Sequence, residues 1–485
     1  MKTRFPRVLL VALHAAVLAG AAIADQQPMF GRLFPELPEY DAPDDMALTE
    51  LTIAGPAASP GPLFDTNVSP PTVPNDDNPD EVPSFFTYFG QFVDHDLTLD
   101  TLPLPTQFVD PTTIPNNRDP RFNLDSVYLG GPHANPELYE ADHQRLKVDG
   151  RDLPRNPDGS AIVGEGRNDE NQVIAQIHVA FLRAHNRLIS LGYNFRQARE
   201  LMKFRYQWIV VHEFLREVLD PVVYDDVFRP NGRIRTRFYD PNRAARAEMP
   251  VEFAVAAYRF GHSQVRRAYI IAQFVPPALP IKLQVFNGTA NDLHGGRPIA
   301  PDHVIFWPNF LAVDGQPQTG QVGTGQSVAN VSRKIDTLIS SGLFTLPIPG
   351  AEPEGSVILA KRNLQRAREY GLPSGQSVAT RLNEDLPPDQ QVHVYSNEEI
   401  IDAIPRMAVL ANPAYRGEAP LWLYVLAESQ IVHNGAKLGP VGSRIVAEVI
   451  GGLLEADNKS YYRKRWAPPG GTFRAQDLLR EADVL

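Results

Sequence analysis

Residues 85–97 read Phe-Phe-Thr-Tyr-Phe-Gly-Gln-Phe-Val-Asp-His-Asp-Leu, an apolar run broken by one dense group of polar side chains. The pattern predicts a helix on which Gln91, Asp94 and His95 share a face beside a second face of Phe85, Phe89 and Phe92. Burying carboxylates, an imidazole and an amide among aromatics costs roughly several kcal/mol unless each finds a partner, so the polar face calls for an occupant. Apolar positions recur at helical spacing over 171–191, where Val173, Ile174, Ile177, Phe181 and Leu188 make one stripe, and again over 195–219 and 252–269. These three amphipathic helices are expected at the centre of the molecule, with others over 397–410, 421–430 and 441–454. Strand-like runs are few and short, 272–275 among them.

Residues 25–80 are rich in Pro, Asp and Gly without periodicity and predict an extended N-terminal arm. Ahead of it, Lys2, Arg4 and Arg7 precede an apolar run over 8–24 that ends in Ala22-Ile23-Ala24, the form of a signal peptide covering 1–24 and cut before Asp25. That run is short for a membrane anchor and carries His14 and Gly20, and no other stretch is long and apolar enough to span a bilayer. A secreted or extracellular protein is expected, or a periplasmic one in a Gram-negative source. The formal net charge of −11 argues against nucleic acid or anionic membrane as a partner. With no cysteine, the chain has no disulfides, no thiolate haem ligand and no Cys-based metal site. The 45 prolines point to long irregular connections between helices. Sequons stand at Asn67, Asn287, Asn330 and Asn458 and matter only in a eukaryotic source.

The pattern Gly90-Gln91-x-x-Asp94-His95-Asp96 resembles the distal-haem helix of the animal-type haem peroxidases, the peroxidase–cyclooxygenase superfamily. Four further matches follow in the order of that family: 166–170 (Gly-Arg-Asn-Asp-Glu), 183–188 (Arg-Ala-His-Asn-Arg-Leu), 258–262 (Tyr-Arg-Phe-Gly-His) and 363–373, which opens Asn-Leu-Gln-Arg. The resemblance covers roughly residues 30–465 and implies a mainly α fold: a single large helical domain over 81–485 with long loops and few short strands. The linker-like stretch 320–327 does not divide it, because the halves on either side each supply part of one site.

What the resemblance implies for function is a secreted enzyme with haem b that uses H2O2 to oxidise halides, pseudohalides or small aromatic donors through a ferryl intermediate. His95 is then the distal base, suited by an ordinary pKa near neutrality, and Arg167 the fixed charge that stabilises the departing oxygen. Taken alone Arg167 reads as a surface or capping residue, and Gln91 as a buried amide; the flanking matches give Gln91 the ordering of distal water and halide. His262 would be the axial iron ligand and Asn363 the acceptor that fixes its ring. Arg259 and Arg366 match residues near the haem propionates. His178 and His185 read as hydrogen-bonded core residues.

Asp94 and Glu170 match carboxylates that are esterified to haem methyls in mammalian members, with simple salt bridging as the alternative. Where the chlorinating enzyme of neutrophils has a Met in sulfonium linkage, this chain has Asn171, so no third link can form. For calcium the resemblance implies Asp96 with the loop residues Asp119, Asn123, Asp125 and the Arg121 carbonyl, a hard-oxygen set; Asp119 replaces the Thr of mammalian members, and an Asp/Asn-rich turn is the plainer reading. Two other functions remain open. A fatty-acid dioxygenase or cyclooxygenase would need the radical Tyr three residues before the proximal His, where Arg259 stands and Tyr258 is one position too early. A peroxinectin-like adhesion protein lacks an Arg-Gly-Asp or Lys-Gly-Asp signal here.

Overall fold

A computed structural model describes residues 28–52, 61–65, 77–241, 248–272, 281–289, 291–314, 321–322, 326–327, 329–347 and 357–485. The signal-peptide reading of 1–24, Asn67, most of the stretch 272–275 and half of 320–327 lie outside these residues. The fold is mainly helical, as expected. Its centre is built from α1 (Ser84–Leu97), α2 (Gln172–Ser190) and α3 (Phe195–Ile209). Packing between α1 and α2 is aromatic: Phe92 stacks on Phe181 with centroids 4.5 Å apart and planes parallel within 1°. Such a pair adds roughly 1 kcal/mol beyond its buried area. Tyr206 of α3 meets Phe89, Phe92 and Phe181 edge-on.

Each helix start has a local cause. The Asn171 side chain caps α2, accepting from the N–H groups of Val173 (3.1 Å) and Ile174 (2.9 Å). Asn194 and Gln197 form a reciprocal capping box at α3. Beyond Ile209 the chain continues as one widened π turn, Val210–Phe214, and closes with Leu215–Val218, which realises the predicted 195–219 helix with one irregularity.

The stretch 252–269 departs further from expectation. It runs as a π turn (Glu252–Ala256), a 3₁₀ turn (Ala257–Phe260) and a short α turn (Gly261–Gln264), broken at Ala256 (φ −124°, ψ −79°) and ended by extended Val265. The strand that follows is Ala268–Ile270, paired antiparallel with Lys282–Gln284, and so lies ahead of the predicted 272–275. Downstream come α4 (Leu359–Glu369), α5 (Leu421–His433) and α6 (Pro440–Ala456). The predicted 397–410 helix stops at Ala403, because Pro405 removes a donor and restricts the residue before it, and a 3₁₀ segment, Pro405–Ala411, takes over.

The N-terminal arm is pinned to the body. Met29–Gly31 pairs in parallel with Glu248–Pro250, and the fully buried Glu252 carboxylate accepts the N–H groups of Leu33 (2.8 Å) and Phe34 (3.2 Å). The arm also carries a helix, Asp45–Thr52, burying Ala47, Leu48 and Leu51, which the lack of periodicity did not predict. Glu428 on α5 caps α6 from the side by accepting from Val441 and Gly442, and burial pushes its carboxyl up to about 8. Of the three sequons within the described residues, Asn330 is 1% exposed and spends its Nδ2 on the Ile270 carbonyl (2.8 Å), so it cannot carry a glycan as folded.

Candidate haem site

α1, the turn before α2, the broken segment at 252–264 and α4 enclose a cavity of about 690 Å³. Its lining includes Gln91, Asp94, His95, Arg167 and Glu170 from α1 and the turn before α2, the distal wall, and Arg259, Phe260, Gly261 and His262 from the broken segment, the second wall; the two meet where Arg259 reaches Asp94. The cavity is of the size that holds a large cofactor. At Gly261 an added Cβ would meet nothing within 4 Å, so a side chain there would take up open room beside His262.

His95 is 4% exposed. Its Nδ1 stands 2.9 Å from Asn168 Oδ1, and its Nε2 lies 3.9 Å from Glu170 Oε1. Burial, reinforced by the Arg167 charge, holds the imidazole neutral by lowering its pKa to about 3. A neutral ring is the form that can accept a proton.

Arg167 sits on a 3₁₀ turn, Gly166–Asp169, whose N-cap Glu165 grips it twice, at Nε (3.1 Å) and Nη2 (2.9 Å). The same Nη2 donates to the carbonyls of His95 and Thr98. Behind Glu165 stands Arg118, with Nη2 2.6 Å from Glu165 Oε2 and Nη1 3.2 Å from Asp125 Oδ2. Burial opposes ionisation of Glu165, but Arg167 and Arg118 outweigh it and hold the carboxyl well below its ordinary value. The turn is braced from outside by residues 293–296: Gln172 N–H bonds Leu293 O, and Gly295 and Gly296 N–H groups bond Glu170 O and Asp169 O at 3.0 and 2.7 Å. Only glycine fits at 295, since a Cβ would fall 1.7 Å from the Asp169 carbonyl oxygen.

The two candidate tether carboxylates both line the cavity and differ in charge state. For Asp94 burial works against ionisation, yet Arg259 (3.3 Å) and Arg167 (4.0 Å) prevail and lower its pKa. Glu170 has no such close cation, and burial raises it to about 7 with Arg167 opposing. The 47% of its side chain that is accessible faces this cavity. Gln91 Nε2 donates to Glu170 Oε1, and Gln91 Oε1 accepts from Asn171 Nδ2 at 3.1 Å, so Asn171 serves as both helix cap and cavity wall.

On the second wall, burial and the Arg259 charge lower His262 to about 3. The Asn363 carboxamide, on α4, lies 2.7 Å from His262 Nδ1. Nδ2 is the end that faces the ring here; turned over, the amide would accept Nδ1–H through Oδ1 and leave Nε2 for a metal. Arg259 is anchored through Nε to Ala254 O (2.7 Å) and presents Nη1 to Asp94.

Two groups of expected residues are placed differently. Arg366 does not line the cavity: Asp100 holds its Nη1 at 2.5 Å and its guanidinium lies over Tyr370. One helical turn earlier, Arg362 lines it instead. The calcium set is gathered near the distal helix, but with its acids turned onto cations and amides. Asp119 pairs with Arg121 Nε (2.7 Å) and accepts from Asn123 Nδ2 (2.6 Å), Asp125 pairs with Arg118, and Asp96 accepts from Leu124 N–H, Ser126 N–H and Ser126 Oγ. Among the described residues no group of three or more His, Asp or Glu side chains is arranged to hold a metal ion. His178 and His185 are hydrogen-bonded core residues, His185 between Tyr128 Oη (3.0 Å) and Gln144 O (2.9 Å). Sequence reasoning missed Asn168, Glu165, Arg118 and Arg362; Glu165 alone carried a local signal, as an acid just ahead of a helical turn.

Among relatives, the peroxidase-like protein of Margaritifera margaritifera is 24% identical over 469 residues, which covers 78% of this chain and 55% of that protein. The chain spans about half the length of the curated relatives it matches. In three dimensions it resembles peroxidase A of Dictyostelium discoideum, with TM-score 0.64, 16% identity, and 94% and 93% of the two chains covered. It also resembles the fatty acid α-dioxygenase of Oryza sativa, with TM-score 0.59, 14% identity, and 90% and 76% covered. Residues 133–383, which include Arg167, Glu170, His262 and Asn363, match the family model for animal haem peroxidase. With that match over more than half of its length, the chain belongs to the animal haem peroxidase family.

Proposed function

We propose that the protein is a haem peroxidase that reduces H2O2 to water while oxidising halide or pseudohalide ions, or small aromatic donors, outside the cytoplasm. The observation that carries this is that one cavity is lined by His95, Arg167 and His262 together, with an asparagine carboxamide at Nδ1 of each of these two histidines. His262 would ligate the iron, and Asp94 and Glu170 would hold haem b through ester bonds made on exposure to peroxide. Haem, when bound, supplies the electrons that reduce peroxide and passes the resulting oxidising power to the donor.

The chain's own groups handle the protons. His95 Nε2 takes a proton from HOOH and returns it to the oxygen that leaves as water, while Arg167, locked by Glu165, offers a fixed positive charge to that oxygen. For iodide the overall balance is H2O2 + I⁻ + H⁺ → HOI + H2O. With two ester donors and no sulfur at Asn171, electron withdrawal from the haem is intermediate. Iodide, thiocyanate and bromide are therefore the expected donors, and chloride a poor one at neutral pH. After peroxide exposure the haem should resist acid–acetone extraction, and Asp94→Val and Glu170→Gln should each remove one link. Free extraction after turnover, or chloride oxidised as fast as bromide, would rule out this tether.

Calcium belongs to the same proposal. Asn123 Oδ1 is buried without a partner, and burial lifts the Asp96 carboxyl to about 7, so the region holds oxygens that a hard cation would satisfy if Asp119 and Asp125 exchanged their arginines for it. Metal analysis should find about one Ca²⁺ per chain. A metal-free preparation with full haem content and activity would remove the ion from the account.

One observation favours a second reading. The Tyr258 hydroxyl is buried without a hydrogen-bond partner and its side chain lines the cavity, as an oxidisable phenol would in a fatty-acid dioxygenase. Oxygen uptake on adding a long-chain fatty acid, lost in Tyr258→Phe, would select that reading; no uptake selects the peroxidase.

A further inference from the structure

From the distal histidine a chain of three buried side chains, His95, Asn168 and His178, runs into α2. Asn168 is 0% exposed and His178 1% exposed. The Asn168 carboxamide spans two rings: its Oδ1 lies 2.9 Å from His95 Nδ1, and its Nδ2 lies 2.9 Å from His178 Nδ1. A carboxamide has one accepting and one donating end, so its orientation dictates the tautomer of both neighbours. With Oδ1 on His95, that ring carries its proton at Nδ1 and keeps a lone pair at Nε2. With Nδ2 on His178, that ring is bare at Nδ1 and protonated at Nε2. Turned over, the same amide would force the proton of His95 onto Nε2, where the ring could no longer accept one.

We propose that Asn168, oriented by His178, is the positioning residue that fixes His95 as the Nδ1–H tautomer and so presents Nε2 to peroxide as a base. This rests on the peroxidase reading and deepens it. Neutral and protonated His95 both carry a hydrogen at Nδ1, so Asn168 Oδ1 is a satisfied partner in either state. A proton can be loaded and unloaded at Nε2 without any neighbour rearranging, which is the preorganisation that general acid–base catalysis rewards. The Asn168 backbone is itself tied, its N–H donating to Glu165 O at 3.0 Å. The charged groups around the chain are Arg167, Asp94, Glu165 and Glu170 about His95, and Glu165 and Arg118 about His178. None of them can substitute for Oδ1, since Asn168 is the partner at His95 Nδ1.

The test combines four variants with two readouts. Stopped-flow mixing of the haem-loaded chain with H2O2 across pH should show Asn168→Leu and His178→Leu slowed by about tenfold or more, on the scale of losing an outer partner of a catalytic group. His178→Gln, which keeps an acceptor for the amide, should stay within roughly threefold of wild type. Asn168→Asp should keep its rate at alkaline pH but move the acid limb of the pH–rate profile upward by about one pH unit or more, because a carboxylate stabilises the imidazolium. Second, ¹⁵N-histidine NMR of the full-length chain, haem-free or in its diamagnetic carbon monoxide form, should show His95 protonated at Nδ1 in wild type and a shift toward Nε2–H in Asn168→Leu. Wild-type His95 protonated at Nε2, or Asn168→Leu with an unchanged tautomer and pH profile, overturns the inference. Failure of the peroxidase reading looks different: the chain would take up no haem while the tautomer remained readable.

Discussion

Replacing His95 by Ala should leave haem uptake intact and slow the reaction with H2O2 by about 100-fold or more, the usual scale for losing a general acid–base group. Haem uptake should survive because the proposed iron ligand, His262, and its Asn363 partner belong to a different segment of the lining from His95. The rate collapses because the other acid–base groups that line the cavity are engaged: Asp94 is spent on Arg259 and Thr98, Glu170 is bonded by Gln91, and His294 is held through Nδ1 by Asp292. The sign of the pH dependence follows from the lowered pKa of His95. Its active form is the neutral ring, so the base should stay competent from about pH 5 upward and be lost only as pH falls toward its value of about 3. Stopped-flow traces at the Soret band check both statements. A His95→Ala protein reacting at the wild-type rate would show that the distal assignment is wrong.

The second large effect is expected on the other wall. His262→Ala should lose haem or hold it so weakly that gel filtration strips it, since the other histidines of the lining are His95, bonded to Asn168, and His294, bonded to Asp292. The two variants must therefore differ in kind: one keeps its absorbance and loses its chemistry, the other loses its absorbance. His262→Ala that retained a full complement of haem with an unchanged axial signature would move the ligand elsewhere.

The distal wall was legible because its cost is local. Gln91, Asp94 and His95 on one face of an aromatic helix demand partners wherever the rest of the chain goes, and helical spacing alone places them together. α2 was legible for the same reason, its apolar stripe being regular. The proximal segment was not, because π and 3₁₀ turns at 252–260 shift each side chain relative to an ideal helix, and periodicity cannot register a change of winding. The stop at Ala403 did have a signal in Pro405. Asn168 was invisible as a functional residue, and Glu165 legible only as a helix cap, because their roles lie in tertiary partners, His95 and Arg118, more than 40 residues away along the chain. Arg362 and Arg366 sit one turn apart on α4, and only the packed structure shows which of the two the cavity receives.

The most direct test of the central claim is an optical titration of the purified full-length chain with haem, followed by one equivalent of H2O2. The account expects uptake of one haem per chain, a Soret spectrum of histidine-ligated iron, and a rapid peroxide-induced change that iodide or bromide reverses. A chain that takes up no haem, or whose bound haem is unaltered by peroxide, would contradict it.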